Sequence, residues 1–112
     1  MRNFKEIEFN MGGIPCFNRM DKTFLDKLDD LRDEYGYPVH LNSSFRTKQY
    51  NKEIGGSTAS KHMEGIAVDI RCTSSVRRAR LVYAALDLGL SVGVAKTFVH
   101  VDDRKDQLMF TY

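Results

Sequence analysis

The sequence predicts a compact α+β domain, with a small mixed or antiparallel sheet and flanking helices. Apolar residues recur at helical spacing over 21–35 and again after Ser74, while 66–71 alternates as a strand does. Helices and strands then follow one another without a regular alternation, which favours the α+β class.

The first helix is expected over 21–35. Phe24, Leu25, Leu28, Leu31 and Tyr35 fall on one face, Asp21 can cap the start, and Gly36 with Pro38 just beyond ends it. Val39, Leu41 and Ser43 alternate as a short strand. A short helix is expected over 47–54, closed by Gly55 and Gly56, and 57–61 reads as a polar loop. In the strand 66–71, Ile66, Val68 and Ile70 take one face and Ala67 and Asp69 the other. Ser74 or Ser75 caps a helix running to Leu88, with Val76, Leu81, Ala84, Ala85 and Leu88 available for burial, and Gly89 ends it. Strands are expected over 92–94 and 98–102, and an edge strand over 108–112.

A chain of 112 residues fits a single domain over 1–112. With 42% hydrophobic and 29% charged residues it has the composition of an ordinary globular domain. No apolar run approaches the ~20 residues of a membrane helix, so membrane insertion is not expected. The start MRNFKEIEFN offers no signal-peptide core, so synthesis in a cytoplasm is expected. A net charge of +2 argues against nucleic acid as a partner. The densest basic stretch, Arg77, Arg78 and Arg80, reads as a solvated helix face. Cys16 and Cys72 form no CxxC pair; their spacing allows a disulfide, and in a cytoplasmic product they read rather as buried free thiols.

Among the histidines His40, His62 and His100, two keep unusual company. His62 stands in Ser60-Lys61-His62-Met63-Glu64-Gly65-Ile66-Ala67-Val68-Asp69, and His100 in Phe98-Val99-His100-Val101-Asp102. A catalytic zinc takes three protein ligands from His, Asp or Glu and leaves a position for water. His62 in a loop and Asp69 on the next strand can approach one point if the chain turns at Gly65, a residue that tolerates unusual backbone angles. Ala67 shares a strand face with Asp69 and leaves room beside it. His100 is the natural third ligand. Asp102, two residues on, faces the same side and can orient a ligand or take a proton. His40 has no neighbour at metal spacing and reads as packing or surface. Phe45 reads as a cleft aromatic or core, and Tyr50 as helix packing.

On these residues the chain resembles the M15 group of zinc D-alanyl-D-alanine peptidases, which share a fold with the Hedgehog signalling domain. The family pattern SxHxxGxAxD is met by Ser60, His62, Gly65, Ala67 and Asp69, followed by His100. Ser43-Ser44-Phe45-Arg46-Thr47, then Tyr50-Asn51 and Gly55-Gly56, is similar to the segment upstream of the metal motif in the small phage and prophage branch. The run FVHVD is also typical of that branch.

The resemblance implies one zinc ion held by His62, Asp69 and His100. It implies that Arg46 contacts substrate and the developing oxyanion, that Ser60 helps hold substrate, and that peptidoglycan peptides are the partner. An arginine fork suits a carboxylate or an oxyanion, which agrees with that role for Arg46. The implied activity is hydrolysis of a wall-peptide bond, by a carboxypeptidase or an endopeptidase. The enzyme is expected to be monomeric and to act at the cell wall, in the manner of a phage or prophage lysis enzyme released through a holin. Several relatives carry a Glu or Asp general base three residues before the last His, where this chain has Thr97. Asp102 is the replacement read from the sequence, as base or as orienting group, with Glu64 second. That departure also keeps open a zinc-containing binding or structural module without turnover.

Overall fold

The computed structural model describes residues 4–11, 15–45, 52–55 and 60–112. The helix expected over 47–54 lies mostly outside the described residues, and only Lys52 and Glu53 are seen as helical.

Helix α1 spans Lys22–Tyr35 and helix α2 spans Ser75–Asp87. The start of α1 is set by Asp21, whose side chain accepts from the backbone N–H of Phe24. Such a cap is worth about 1 kcal/mol. Gly36 ends the helix with φ of 79°, a left-handed angle that glycine adopts without strain. Phe24, Leu25, Leu28, Leu31 and Tyr35 are all buried, as their spacing predicts. Ser74 caps α2 by accepting from Arg77 N–H.

Leu81, Ala84 and Ala85 form the buried face of α2, but Val76, expected to be available for burial, is 64% exposed. Val76 and Leu81 are five positions apart, which at about 100° per residue turns Val76 well away from the packed face. The place nearest that face in the first turn falls to Arg77, which lies over the Tyr37 ring with its guanidinium carbon 4.4 Å from the centroid. The basic stretch is therefore not simply solvated: Arg78 also donates to the carbonyls of Cys72 and Lys96.

The strands are β1 (Leu41–Ser43), β2 (Ala67–Arg71), β3 (Ser91–Val94), β4 (Phe98–Asp102) and β5 (Met109–Thr111). They form one sheet in the order β1-β2-β4-β3-β5. All neighbours run antiparallel except β3 and β5, which are parallel. Strand β1 is shorter than the 39–43 alternation suggests, and its register slips between Leu41 and Ser43. Because side chains alternate, β2 and β4 each sort into two sets. Val68, Ile70, Val99 and Val101 join the apolar core with Val92 of β3, and α2 packs on β3 and β4. Burying each of these side chains contributes about 1.5–3 kcal/mol. Ala67, Asp69, His100 and Asp102 form the other set.

Cys16 and Cys72 are buried free thiols. No helix among the described residues is long and apolar enough to cross a membrane.

Candidate metal centre

Sheet register brings the polar set together. Asp69 on β2 lies opposite His100 on β4, and Ala67 lies opposite Asp102. The third member, His62, comes from a 3-10 turn over Lys61–Glu64 rather than from an irregular loop. Ser60 caps this turn, its side chain accepting from His62 N–H at 3.3 Å. Gly65 closes it with φ of 72°. The requirement at Gly65 is double, since a Cβ there would also lie 2.2 Å from the backbone oxygen of Arg19. The close approach is held by Asp21 N–H donating to the Gly65 carbonyl at 2.9 Å. The turn that carries His62 is thus pinned to the start of α1.

His62, Asp69 and His100 are buried and each offers one ligand atom, all within 4.8 Å of one another. Nε2 of His62 is 3.2 Å from Asp69 Oδ1, and Nδ1 of His100 is 2.9 Å from the same oxygen. The other nitrogen of each ring is engaged. Nδ1 of His62 lies 2.6 Å from the carbonyl of Ser44, which can only accept, so that nitrogen carries a proton. Nε2 of His100 lies 2.7 Å from Asp102 Oδ2. Two imidazoles and a carboxylate make a donor set that zinc accepts at hydrolytic sites. The outward nitrogens bonded to a carbonyl and a carboxylate are the arrangement that orients metal-binding histidines. These residues fit the ion that the resemblance implies.

The electrostatics follow from the same contacts. Burial pushes the Asp69 carboxyl up, but hydrogen bonds from His100 and His62 outweigh it and hold the group below the usual carboxylate range. Burial would lower His100, but its hydrogen bonds to Asp102 and Asp69 prevail and raise it. Asp102 is fully buried, yet bonds from Arg104 and His100 overcome the desolvation and keep it well below its ordinary value.

The remaining residues read from the sequence are placed as follows. Arg46, with Tyr50, Asn51 and Gly56, lies outside the described residues. Glu64 is exposed and its carboxylate is 2.9 Å from Lys61 Nζ. Thr97 is exposed, and its carbonyl accepts from Cys72 N–H. His40 is exposed, and its carbonyl accepts from Arg71 N–H. Phe45 is core, with the Arg19 guanidinium carbon 4.5 Å from its ring centroid. Sequence reasoning missed Ser44, whose carbonyl orients His62 while its hydroxyl donates to the Phe9 carbonyl at 2.8 Å. It also missed Arg104, two residues past Asp102, where opposite charges at strand-neighbour spacing were the available signal.

No curated protein matches the chain. The family model described as Peptidase M15 matches residues 5–102, a span that contains His62, Asp69 and His100. With most of its length matched and a buried His-Asp-His set able to hold a metal ion, the chain belongs to the peptidase M15 family.

Proposed function

We propose that this protein is a zinc-dependent peptidase that hydrolyses an amide bond in bacterial peptidoglycan stem peptides, as a carboxypeptidase or an endopeptidase. The observation that carries the reading is the convergence of His62 Nε2, Asp69 Oδ1 and His100 Nδ1 on one place, with both outward ring nitrogens already bonded. Zinc held there supplies Lewis acidity to water and to the scissile carbonyl. Arg46 holds a substrate carboxylate or the oxyanion, and Ser60 helps seat the peptide while capping the His62 turn.

Asp102 serves as the orienting group. Its oxygens are taken by His100 and Arg104 and it has no exposed surface, whereas a general base must reach the water it deprotonates. Glu64, the other carboxylate read from the sequence, is then the one offered for the proton, and its contact with Lys61 must open for it to reach the water. The protein acts as a monomer at the cell wall, as a phage or prophage lysis enzyme does after a holin opens the membrane.

The test is incubation of purified protein with peptidoglycan, with zinc and with a chelator, and mass spectrometry of the soluble products. Chelator-sensitive release of peptide fragments or alanine is expected. Thr97 at the position where several relatives carry a carboxylate favours a second reading, a zinc-containing binding module without turnover. Retained zinc with no product from any defined wall peptide would establish that second reading and sink the first.

A further inference from the structure

We propose that Arg104 and Phe110 form a clamp that fixes the orientation of the His100 ring and so sets how tightly the centre holds its metal. Neither residue lies within 5–102, the span of the family match. The proposal rests on His62, Asp69 and His100 being metal ligands, and not on the identity of the peptide cut.

A fully buried carboxylate such as Asp102 is costly unless it is paired and hydrogen-bonded. Arg104 supplies both. Its Nε donates to Asp102 Oδ1 at 2.8 Å, its Nη2 to Oδ2 at 2.5 Å, and its backbone N–H to Oδ1 at 3.1 Å. Such a fork fixes the plane of a carboxylate as well as its charge. Oδ2, which also meets His100 Nε2, therefore cannot swing away.

The second jaw is apolar. The Arg104 guanidinium carbon lies 5.4 Å from the Phe110 ring centroid, and that ring lies 5.6 Å from the His100 ring. Gly93 makes this contact possible. It stands opposite His100 across β3–β4 and opposite Phe110 across β3–β5. A Cβ on Gly93 would lie 2.3 Å from Cε2 of Phe110, so the bare backbone lets the aromatic ring lie across β3 towards His100. Asp102 thus holds the imidazole at its edge, Phe110 packs beside it, and Arg104 ties the two together.

The experiment uses the full chain with the substitutions Arg104→Ala, Arg104→Lys and Phe110→Leu. Zinc affinity is measured by competition with a chromogenic chelator, and nitrogen NMR of the zinc-loaded protein reports the state of the His100 ring. Arg104→Ala should lose affinity by up to the roughly 10–100-fold seen when an outer partner of a metal-binding histidine is removed, because Asp102, that partner of His100, loses its fork. Arg104→Lys should also lose affinity, because an ammonium keeps the charge but not the fork. Phe110→Leu should show a smaller loss. Millimolar guanidinium should restore part of the Arg104→Ala affinity, which a general loss of stability would not allow. If Arg104→Ala does not fold, Arg104→Lys carries the test.

Affinities within about twofold of wild type in both arginine variants, with unchanged His100 signals, would overturn the clamp, whatever happens to the melting temperature. A wild-type protein that takes up no zinc would overturn it together with the metal reading. Zinc uptake without wall hydrolysis would sink the proposed substrate alone and leave the clamp supported by its own affinities.

Discussion

Asp102 Oδ2 lies 2.7 Å from His100 Nε2 and claims that nitrogen, so the ring can offer only Nδ1 to the point it shares with Asp69 and His62. His62 is arranged in the opposite sense. The Ser44 carbonyl takes its Nδ1, and Nε2 is turned inward. Both rings are already aimed by these partners, which lowers the ordering cost of holding an ion there.

Replacing Asp69 by Asn should remove the shared oxygen anion on which both histidines converge. Zinc affinity should fall by more than the ~10–100-fold typical of an outer partner. Metal content after dialysis against a weak chelator measures this. Wild-type retention by the Asn variant would remove Asp69 from the ligand set.

Asp102→Asn and Glu64→Gln should separate orientation from proton transfer. The first should weaken zinc binding, since an amide is a poorer partner for both His100 and the Arg104 fork. The second should keep zinc and lose turnover, by roughly 100-fold or more if Glu64 acts as the base. Zinc-loaded Asp102→Asn at a small fraction of normal turnover, beside an unimpaired Glu64→Gln, would transfer the base role to Asp102.

Proton competition should make zinc affinity rise with pH. The bonds from His100 to Asp102 and Asp69 raise its pKa despite burial, so the metal-free ring keeps its proton above the ordinary value of about 6.5. Zinc must displace that proton, and affinity should climb until the pH passes the raised value. In the metal-free protein the signs oppose. The depressed carboxyls Asp69 and Asp102 contribute stability that is present above about pH 4 and lost as pH falls through their lowered values. His100 contributes stability that is fully present below about pH 6.5 and lost as pH rises through its raised value. Melting temperature with chelator present should therefore peak between these limits. A profile still rising above neutrality would contradict this.

Gly65→Ala should be strongly destabilising. The left-handed angle alone costs about 1–3 kcal/mol for a side chain poorly suited to it. The added carbon would also meet the backbone oxygen of Arg19 at 2.2 Å, which only a backbone shift can relieve. Urea unfolding of the two proteins measures the loss, and a stability within about 0.5 kcal/mol of wild type would show that the His62 turn is not pinned to the start of α1.

Much of the architecture was legible residue by residue. Asp21 and Gly36 mark the ends of α1, and Ser74 the start of α2, because caps act within one turn of their own residue. The alternation at 98–102 separates Val99 and Val101 from His100 and Asp102 for an equally local reason. Val76 was misplaced because a list of apolar residues does not state which arc of a helix meets the sheet. The His62 turn could be placed but not typed, since the polar stretch before it shows no period. Ser44 acts through its carbonyl, a group every residue carries, and so left no trace in the residue types.

Residue order alone selected the chemistry: which imidazoles and carboxylates stand at metal-motif spacing, which strand face carries them, and where glycine must free the backbone. Partnership across the sheet needed the folded chain. Ser43, Asp69, His100, Gly93 and Phe110 fall in one row over the five strands only because of the order β1-β2-β4-β3-β5 and its register. Strand pairing is a long-range choice, and a slip of one residue would turn each of these side chains to the opposite face. The Arg104 fork on Asp102 and the Phe110 ring beside His100 depend on that choice, which no local pattern encodes.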